Sequence, residues 1–170
     1  MPTQFVESSL MPQLDIDENS SYKNLLETLL SKICNLRLIQ GDFSHCTLEV
    51  IFVDSQAMRE INLAHRGKDS TTDVLSFPLE CDFDFQPLDG TATFERLLGS
   101  IIINTELAKE MSENYAHNIA DEISLLFIHG FLHILGFDHE VDNGEQRALE
   151  QHIIESIGLK QSLIVRVQEH

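Results

Sequence analysis

A largely apolar segment, residues 123–137, carries two histidines and constrains the fold more than any other feature of the chain. Its apolar side chains lie all round the helical axis, which is typical of a helix buried in a protein core. We expect this helix over residues 118–135, with Asp121 and Glu122 near the positive end of its dipole. Gly136 suits the position just beyond its last turn. The segment is shorter than the roughly 20 apolar residues that span a bilayer, so it predicts a core helix and not a membrane anchor.

Three histidines in and after this helix have the spacing of metal ligands. His129 and His133 lie four positions apart, so on a helix both imidazoles can reach a common point. Gly136 lets the chain turn, and the next residues can bring His139 back beside that point. Chance pairing in a core helix is the alternative, but it would bury two imidazoles at a desolvation cost. The spacing predicts one catalytic Zn²⁺ site at His129, His133 and His139, in preference to nickel, copper or cobalt.

The residue after the first histidine argues against a peptidase. The spacing HxxxHxxGxxH is that of the metzincin proteases, in which a glutamate after the first histidine is the general base. Gly130 occupies that position here. Asp138 could replace the missing base, but we favour a role in which Asp138 orients a ligand imidazole or stabilises the turn.

The remaining sequence predicts further helices and strands that alternate only in the middle of the chain. Helices are expected at residues 22–33 (capped by Ser20 or Ser21), 55–63 (capped by Asp54 or Ser55), about 105–114 (capped by Asn104 or Thr105) and 142–156 (a capping box of Asp142 and Glu145), and strands at 47–53, 74–78 and 97–103. Pro78 cannot donate to a sheet ladder and belongs at a sheet edge or strand end. Residues 9–21 and 82–96 are interpreted as loops. We expect an α+β fold, a small mixed four-stranded sheet covered by about five helices, in one domain over residues 1–170.

The charge of the chain restricts its partners. The formal net charge is -17, with 28 acidic against 11 basic side chains, which argues against general binding of polyanions. Three cysteines, Cys34, Cys46 and Cys81, form no CxxC pair and are interpreted as reduced thiols. No basic residue precedes Lys23, so a secretory signal is not indicated. These features predict a soluble, cytoplasmic protein with no membrane partner.

Three motifs together resemble those of the YbeY family, bacterial endoribonucleases that act in ribosomal RNA maturation. They are HGFLHILGFDHE at residues 129–140, RGKD at 66–69 and TDVLSFP at 72–78, and the resemblance covers residues 49–158. It implies an α+β domain with a zincin-like metal helix and one zinc ion held by the three histidines of the motif. It also implies a ribosomal small-subunit protein and a ribosome-associated GTPase as partners.

The resemblance also singles out Arg66, which matches an important arginine ahead of the family's Asp-Val-Leu-Ser-Phe-Pro segment. A guanidinium can bind a phosphodiester through two hydrogen bonds and stabilise charge that develops at phosphorus. Lys68 is a weaker candidate for the same phosphate. At Ser100 the chain departs from the family's usual Gly-Asp-Ile, and no role is transferred to it. The other histidines, His45, His65, His117, His152 and His170, are interpreted as surface or locally bonded residues, although His65 could line the cleft.

The function expected from these features is a zinc-dependent endoribonuclease that cuts single-stranded RNA in ribosomal RNA precursors, with a role in maturation of the 16S 3′ end and in ribosome quality control. Two alternatives stay open at this point. One is a zinc hydrolase of peptides or small molecules. The other is a ribosome-assembly factor in which the metal only braces the fold.

Overall fold

The computed structural model describes residues 11–39, 41, 43–79 and 96–159. In chain order its elements are β1 (Gln13–Asp15), α1 (Lys23–Asn35), β2 (Cys46–Val53), α2 (Ser55–Arg66), β3 (Val74–Pro78), β4 (Arg96–Asn104), α3 (Thr105–Asn114), α4 (Ile119–Ile134) and α5 (Glu145–Ser156). Within the described ranges this is a four-stranded mixed sheet with five helices, which confirms the predicted α+β fold. Cys81 and most of the predicted loop 82–96, up to residue 95, lie outside the described residues.

The sheet has the strand order β1-β2-β4-β3. β1 and β4 both pair with β2 in parallel, and β3 pairs with β4 antiparallel. β3 is therefore an edge strand that ends at Pro78, as the missing N–H of proline predicts. The β2–β4 register shifts by one residue near Leu48 and Gly99, before the two strands run in step to their carboxyl ends.

The two faces of the sheet are covered unequally. Alternate residues of a strand face opposite sides, so Ile101 and Ile103 of β4 belong to the main core, whereas Ile102 faces the other side. The main core joins this face to α1, α4 and α5 through fully buried residues that include Leu30, Phe127, Phe131 and Ile153. On the opposite face, Met58 of α2 packs against Leu75 and Ile102 in a smaller cluster. Helix α4, which carries His129 and His133, thus lies in the larger core, as its apolar sequence predicts.

The start of the chain differs from the sequence prediction in two ways. Residues 13–15, placed in a loop, form the short strand β1, whose three residues are too few for a period-two pattern to stand out. Helix α1 begins after Tyr22, and no side chain caps it, so the expectation of a Ser20 or Ser21 cap is wrong. Ser20 is used one step earlier, since its hydroxyl accepts the N–H of Tyr22 at 3.3 Å.

Helix α2 is one turn longer than predicted. Asp54 caps it and accepts the Ala57 N–H at 2.8 Å, one of the two caps expected. It ends at Arg66 instead of residue 63, because Gly67 adopts the left-handed conformation, with φ +67°, that closes a helix. Arg66, three residues beyond the predicted end of this helix, is therefore its last residue.

Helix α5 begins three residues after the predicted start at Asp142, and the predicted capping box of Asp142 and Glu145 does not form. It begins at Glu145 with Gly144 in the N-cap position. The Asp142 carboxylate accepts the N–H groups of Gly144 at 2.7 Å and Gln146 at 2.8 Å. These hydrogen bonds, with a smaller effect of the nearby His139, hold the pKa of Asp142 below its usual value. None of the helices in the described part of the chain has the length and apolar character needed to traverse a bilayer.

Candidate metal centre

Helix α4 carries His129 and His133, and the turn after its last residue directs His139 toward them. Asn118 caps the helix by accepting the Asp121 N–H at 2.8 Å. Beyond its last residue, the N–H groups of Leu135 and Gly136 donate to carbonyls of its last turn. Gly136, at φ +94°, is in the left-handed region that favours glycine. The chain reverses there, so His139 returns toward the face of α4 that carries His129 and His133.

The three imidazoles converge on one point. The Nε2 atoms of His129 and His133 lie 3.1 Å apart, and each of the three residues offers a nitrogen within 4.8 Å of the others. A neutral imidazole protonated on Nδ1 has only a lone pair on Nε2, so facing Nε2 atoms suit a cation between them. The buried Nδ1 atom of His139 also has no hydrogen-bond partner among the described residues. The donor set therefore fits a metal ion, and these are the three residues that the sequence predicts.

The site keeps at least one ligand neutral. Burial is the main cause that lowers the pKa of His133 below its usual value, and the neighbouring His129 and His139 lower it further. Asp138 and Glu150 oppose this shift but do not reverse it. A neutral imidazole is the form that binds a metal ion, so at neutral pH His133 can bind one without first losing a proton.

A buried carboxylate orients His129, and it comes from α5. Glu150 is 2% exposed, and its Oε1 atom lies 2.7 Å from Nδ1 of His129. Gln146, one turn earlier on α5, contacts the same oxygen at 3.0 Å. The sequence analysis missed both residues. Their signal was the apolar stripe of α5, in which Gln146 and Glu150 share a buried face with Ile153 and Ile154.

Asp138 takes the second of its two expected roles. Its carboxylate accepts the Glu140 N–H at 3.0 Å, and its carbonyl accepts the N–H groups of Val141 and Asp142. Asp138 thereby stabilises the turn that holds His139, while Glu150 contacts the ligand imidazole.

A cleft joins the three histidines to Arg66. It has a volume of about 400 Å³, and its walls are Arg66, Thr72, Asp73, Val74, Leu75, Ser76, His129, His133, Asp138, His139 and Glu140. Arg66 is exposed, and none of the ion pairs within the described ranges involves it. Lys68 and His65 are not among the wall residues, and the His65 ring packs near that of Phe77, with centroids 5.1 Å apart. Arg66 and the three histidines therefore line the same cleft.

Polar contacts hold the segment between α2 and β3, which follows Arg66 and leads into the cleft wall at Thr72. Arg59 binds the Asp69 carboxylate through two nitrogens, at 2.6 and 2.9 Å. The amide of Asn62 donates to the Ser70 carbonyl at 2.7 Å. The buried amide of Asn104 donates to the Thr71 hydroxyl at 3.0 Å and to the Thr72 carbonyl at 3.2 Å. These contacts fix the segment between α2 and β3, and the sequence analysis identified none of them.

Gly130 leaves no room for the glutamate of a metzincin. A Cβ atom at this position would lie 2.8 Å from Cγ2 of Ile101 and 3.1 Å from the Ser76 hydroxyl. Both neighbours belong to the sheet, so a longer side chain requires α4 to move away from it. This packing adds a steric reason to the chemical one against a peptidase of that mechanism.

Two residues discussed from the sequence lie away from the cleft. Ser100 donates a hydrogen bond to the Glu49 carboxylate on the face of the sheet opposite α4. The departure from the family pattern at this position therefore does not alter the cleft walls. His117 is buried and pairs with Glu122 at 2.7 Å, so it is one of the locally bonded histidines that the sequence predicts.

These features define a class: an α+β protein in which a buried helix and the turn after it bring together three histidines that could hold a metal ion, in a cleft that an arginine also lines. The family model described as endoribonuclease YbeY matches residues 12–158. The chain belongs to the endoribonuclease YbeY family, which confirms the resemblance found in the sequence.

Individual relatives agree with the family match. Endoribonuclease YbeY of Helicobacter hepaticus is 58% identical over 159 residues, which cover 93% of this chain and 98% of that protein. Endoribonuclease YbeY of Campylobacter jejuni is 52% identical over 134 residues, or 79% of this chain and 92% of that protein. The solution structure of TM1509 from Thermotoga maritima has a TM-score of 0.52 and 24% identity, covers 86% of this chain and 87% of that one, and supports the fold.

Proposed function

We propose that this chain is a zinc-dependent endoribonuclease that cuts single-stranded RNA during ribosomal RNA processing, including maturation of the 16S 3′ end and ribosome quality control. The observation that carries the proposal is the shared cleft, which both Arg66 and the three histidines line. Family membership supports endoribonuclease as the activity class. We further propose that residues 1–170 form one domain and that the protein acts in the cytoplasm.

In the proposed mechanism His129, His133 and His139 hold the metal ion, and Arg66 binds the scissile phosphate. Zinc supplies Lewis-acid chemistry and can lower the pKa of a bound water toward about 7. The Arg66 guanidinium binds phosphate oxygens and stabilises the charge that develops on them. Glu150 keeps the Nδ1 proton of His129 on the side away from the cleft, so the lone pair of Nε2 faces the ligand set.

The nucleophile in this proposal is water or the RNA 2′-hydroxyl. Ser76 lines the cleft, but its hydroxyl donates to the Gly130 carbonyl at 3.3 Å. That hydroxyl therefore lacks the contact with a base that activates a nucleophilic serine. An attack by the 2′-hydroxyl needs only a single strand flexible enough to align with its own phosphate.

The charge distribution supports a single-stranded substrate delivered by partners. The net charge of -17 repels bulk RNA, and Asp73, Asp138 and Glu140 add negative charge to the cleft walls. Arg66 and the metal ion therefore make a local positive site suited to one phosphate. We propose that a ribosomal small-subunit protein and a ribosome-associated GTPase present the RNA precursor to this site.

The test is an RNA cleavage time course with protein of measured zinc content. Single-stranded and double-stranded ribosomal RNA fragments are compared for wild type, Arg66→Ala and Arg147→Ala. Arg147 is an exposed arginine on α5 and outside the cleft walls, so its variant controls for the loss of one positive charge. Loss of a transition-state anion partner slows such reactions by about 10² to 10³-fold.

We expect wild type and Arg147→Ala to cut the single strand at similar rates, and Arg66→Ala to be slower by about 10²-fold with unchanged zinc content. Equal rates for Arg66→Ala and Arg147→Ala would show that Arg66 is not in the chemistry. If zinc-loaded wild type cuts no RNA even with ribosomal subunits present, the nuclease hypothesis is wrong. An assembly factor in which the metal braces the fold would then be the better explanation.

A further inference from the structure

Gln146 touches both parts of the candidate metal centre at once. Its side chain is fully buried at the start of α5. The amide oxygen accepts the backbone N–H of His139 at 3.0 Å, and the amide nitrogen donates to Oε1 of Glu150 at 3.0 Å. The same Glu150 oxygen lies 2.7 Å from Nδ1 of His129. One side chain therefore connects the ligand on the turn with a ligand on α4.

The roles of donor and acceptor in this chain of contacts are fixed by its first member. A backbone N–H can only donate, so the Gln146 amide must present its oxygen to His139. The amide nitrogen then faces Glu150, whose oxygen must accept. Glu150 as a carboxylate can only accept, so Nδ1 of His129 is the donating nitrogen and its Nε2 lone pair faces His133.

We infer that Gln146 is a positioning residue that sets the location of His139 and the tautomer of His129 together, so that the site is assembled before the metal arrives. The inference rests on the metal site of the proposed function. His139 follows a glycine turn and is not part of a helix, so its position depends on contacts made after the turn. Gln146 supplies such a contact from the rigid helix α5.

The experiment compares Gln146→Met with Gln151→Met. Methionine keeps the length of the side chain and removes both hydrogen bonds. Gln151 is a matched control because it makes the same amide contact, at 3.0 Å, with Glu155 one turn later on the exposed side of the same helix. Zinc affinity is measured on metal-free full-length protein by competition with a chelator, and the visible spectrum of bound Co²⁺ reports the ligand geometry.

Loss of a residue that orients a zinc ligand costs about 10-fold or more in metal affinity. We therefore expect Gln146→Met to weaken zinc binding by about 10-fold and to change the Co²⁺ spectrum, while Gln151→Met matches wild type. A purely structural role for Gln146 would lower the melting temperature of the metal-free protein and leave both metal readouts unchanged.

Three further outcomes separate the inference from the function on which it rests. Wild type that binds neither zinc nor Co²⁺ would contradict the metal site itself. Wild-type binding with equal affinity and spectrum in Gln146→Met would overturn the role of Gln146 alone. If metal-free Gln146→Met is unfolded, Gln146→Glu keeps the acceptor for His139 and loses the donor to Glu150, and wild-type metal affinity in that variant would likewise overturn the inference.

Discussion

Two buried histidine–glutamate pairs lie at opposite ends of helix α4, and their contacts are almost identical. His117 precedes the helix and contacts Glu122 in its first turn at 2.7 Å. His129, in the second half of the helix, contacts Glu150 of α5, also at 2.7 Å. Both glutamates are almost completely buried, at 0% and 2% exposure. The two pairs nevertheless have different surroundings on the other side of the imidazole.

The difference lies in the second nitrogen of each histidine. Nδ1 of His117 is buried and has no hydrogen-bond partner among the described residues. Nε2 of His129 faces Nε2 of His133, and His139 completes the group. A buried carboxylate therefore does not by itself make a histidine a metal ligand. A metal site also needs nitrogen lone pairs of other histidines that converge on the same point, as those of His133 and His139 do here.

The largest expected effect separates the two histidines by alanine substitution. His129→Ala removes one of three converging ligands, so we expect the purified protein to lose bound zinc. His117→Ala keeps the ligand set but leaves Glu122 buried without its histidine, which costs about 3 kcal/mol of unfolding free energy. Zinc content by elemental analysis and urea unfolding measure the two results. Zinc retained by His129→Ala, or lost in folded His117→Ala, would remove the distinction between the pairs.

The next effect concerns the two carboxylates. Glu150→Ala leaves Nδ1 of His129 without its acceptor, and we expect zinc affinity to fall by about 100-fold, the upper end for partners of ligating histidines. Glu122→Ala is the matched substitution and should leave zinc affinity unchanged while it lowers stability. Chelator competition on both variants gives the answer. Similar affinities in the two variants would mean that the Glu150 contact is only structural.

Gly130 lies between the pairs and sharpens the comparison sterically. In Gly130→Ala the new methyl group meets Ile101 of β4, and overpacking of this kind costs about 1–3 kcal/mol. Ile101→Ala in the same chain opens space for that methyl group. The double variant should therefore lose less unfolding free energy than the two single variants lose together. Gly136→Ala is the control, because its cost comes from the backbone conformation at φ +94° and not from contact with a neighbour. Its loss of unfolding free energy should simply add to that of Ile101→Ala. Additive losses for Gly130 and Ile101 would contradict the steric explanation.

The smallest expected effect is a pH dependence of the metal-free protein. His133 has its pKa lowered by burial and by the two neighbouring histidines, while in the unfolded chain it titrates near 6.5. Below about pH 6.5 the unfolded chain therefore binds more protons at this site than the folded one, so stability falls as the pH drops toward the lowered pKa. We expect His133→Asn to reduce this loss and His152→Asn, an exposed control on α5, to leave it unchanged. Urea unfolding from about pH 5 to about pH 8 measures it, and equal slopes for His133→Asn and wild type would contradict the assignment.

Features that depend on neighbours in sequence were predictable. The apolar pattern of α4, its start near residue 118 and the turn at Gly136 all act within a few residues, and the convergence of the three histidines follows from them. The strands of the sheet followed from β-branched runs in the same way. The sequence analysis missed strand β1, because it has only three residues and is specified by its pairing with β2.

Contacts between distant parts of the chain were not predictable. Glu150 reaches His129 across 21 positions, and Asn104 reaches Thr71 across 33. A polar residue on a helix gives no sign of which partner it meets, because the packing of whole elements decides that. The three histidines that converge could therefore be named from the sequence, while the residues that hold them in place could not.

The close approach of α4 to the sheet also limits how this fold can evolve. A glutamate at position 130 would supply the base that metzincin peptidases use, and a single nucleotide change converts some glycine codons to glutamate codons. Here that substitution forces the helix away from Ile101 and Ser76 before any new chemistry can be gained. A route from this site to a peptidase of that mechanism would need a smaller residue in β4 first, so the two activities are separated by an ordered pair of mutations and not by a single step.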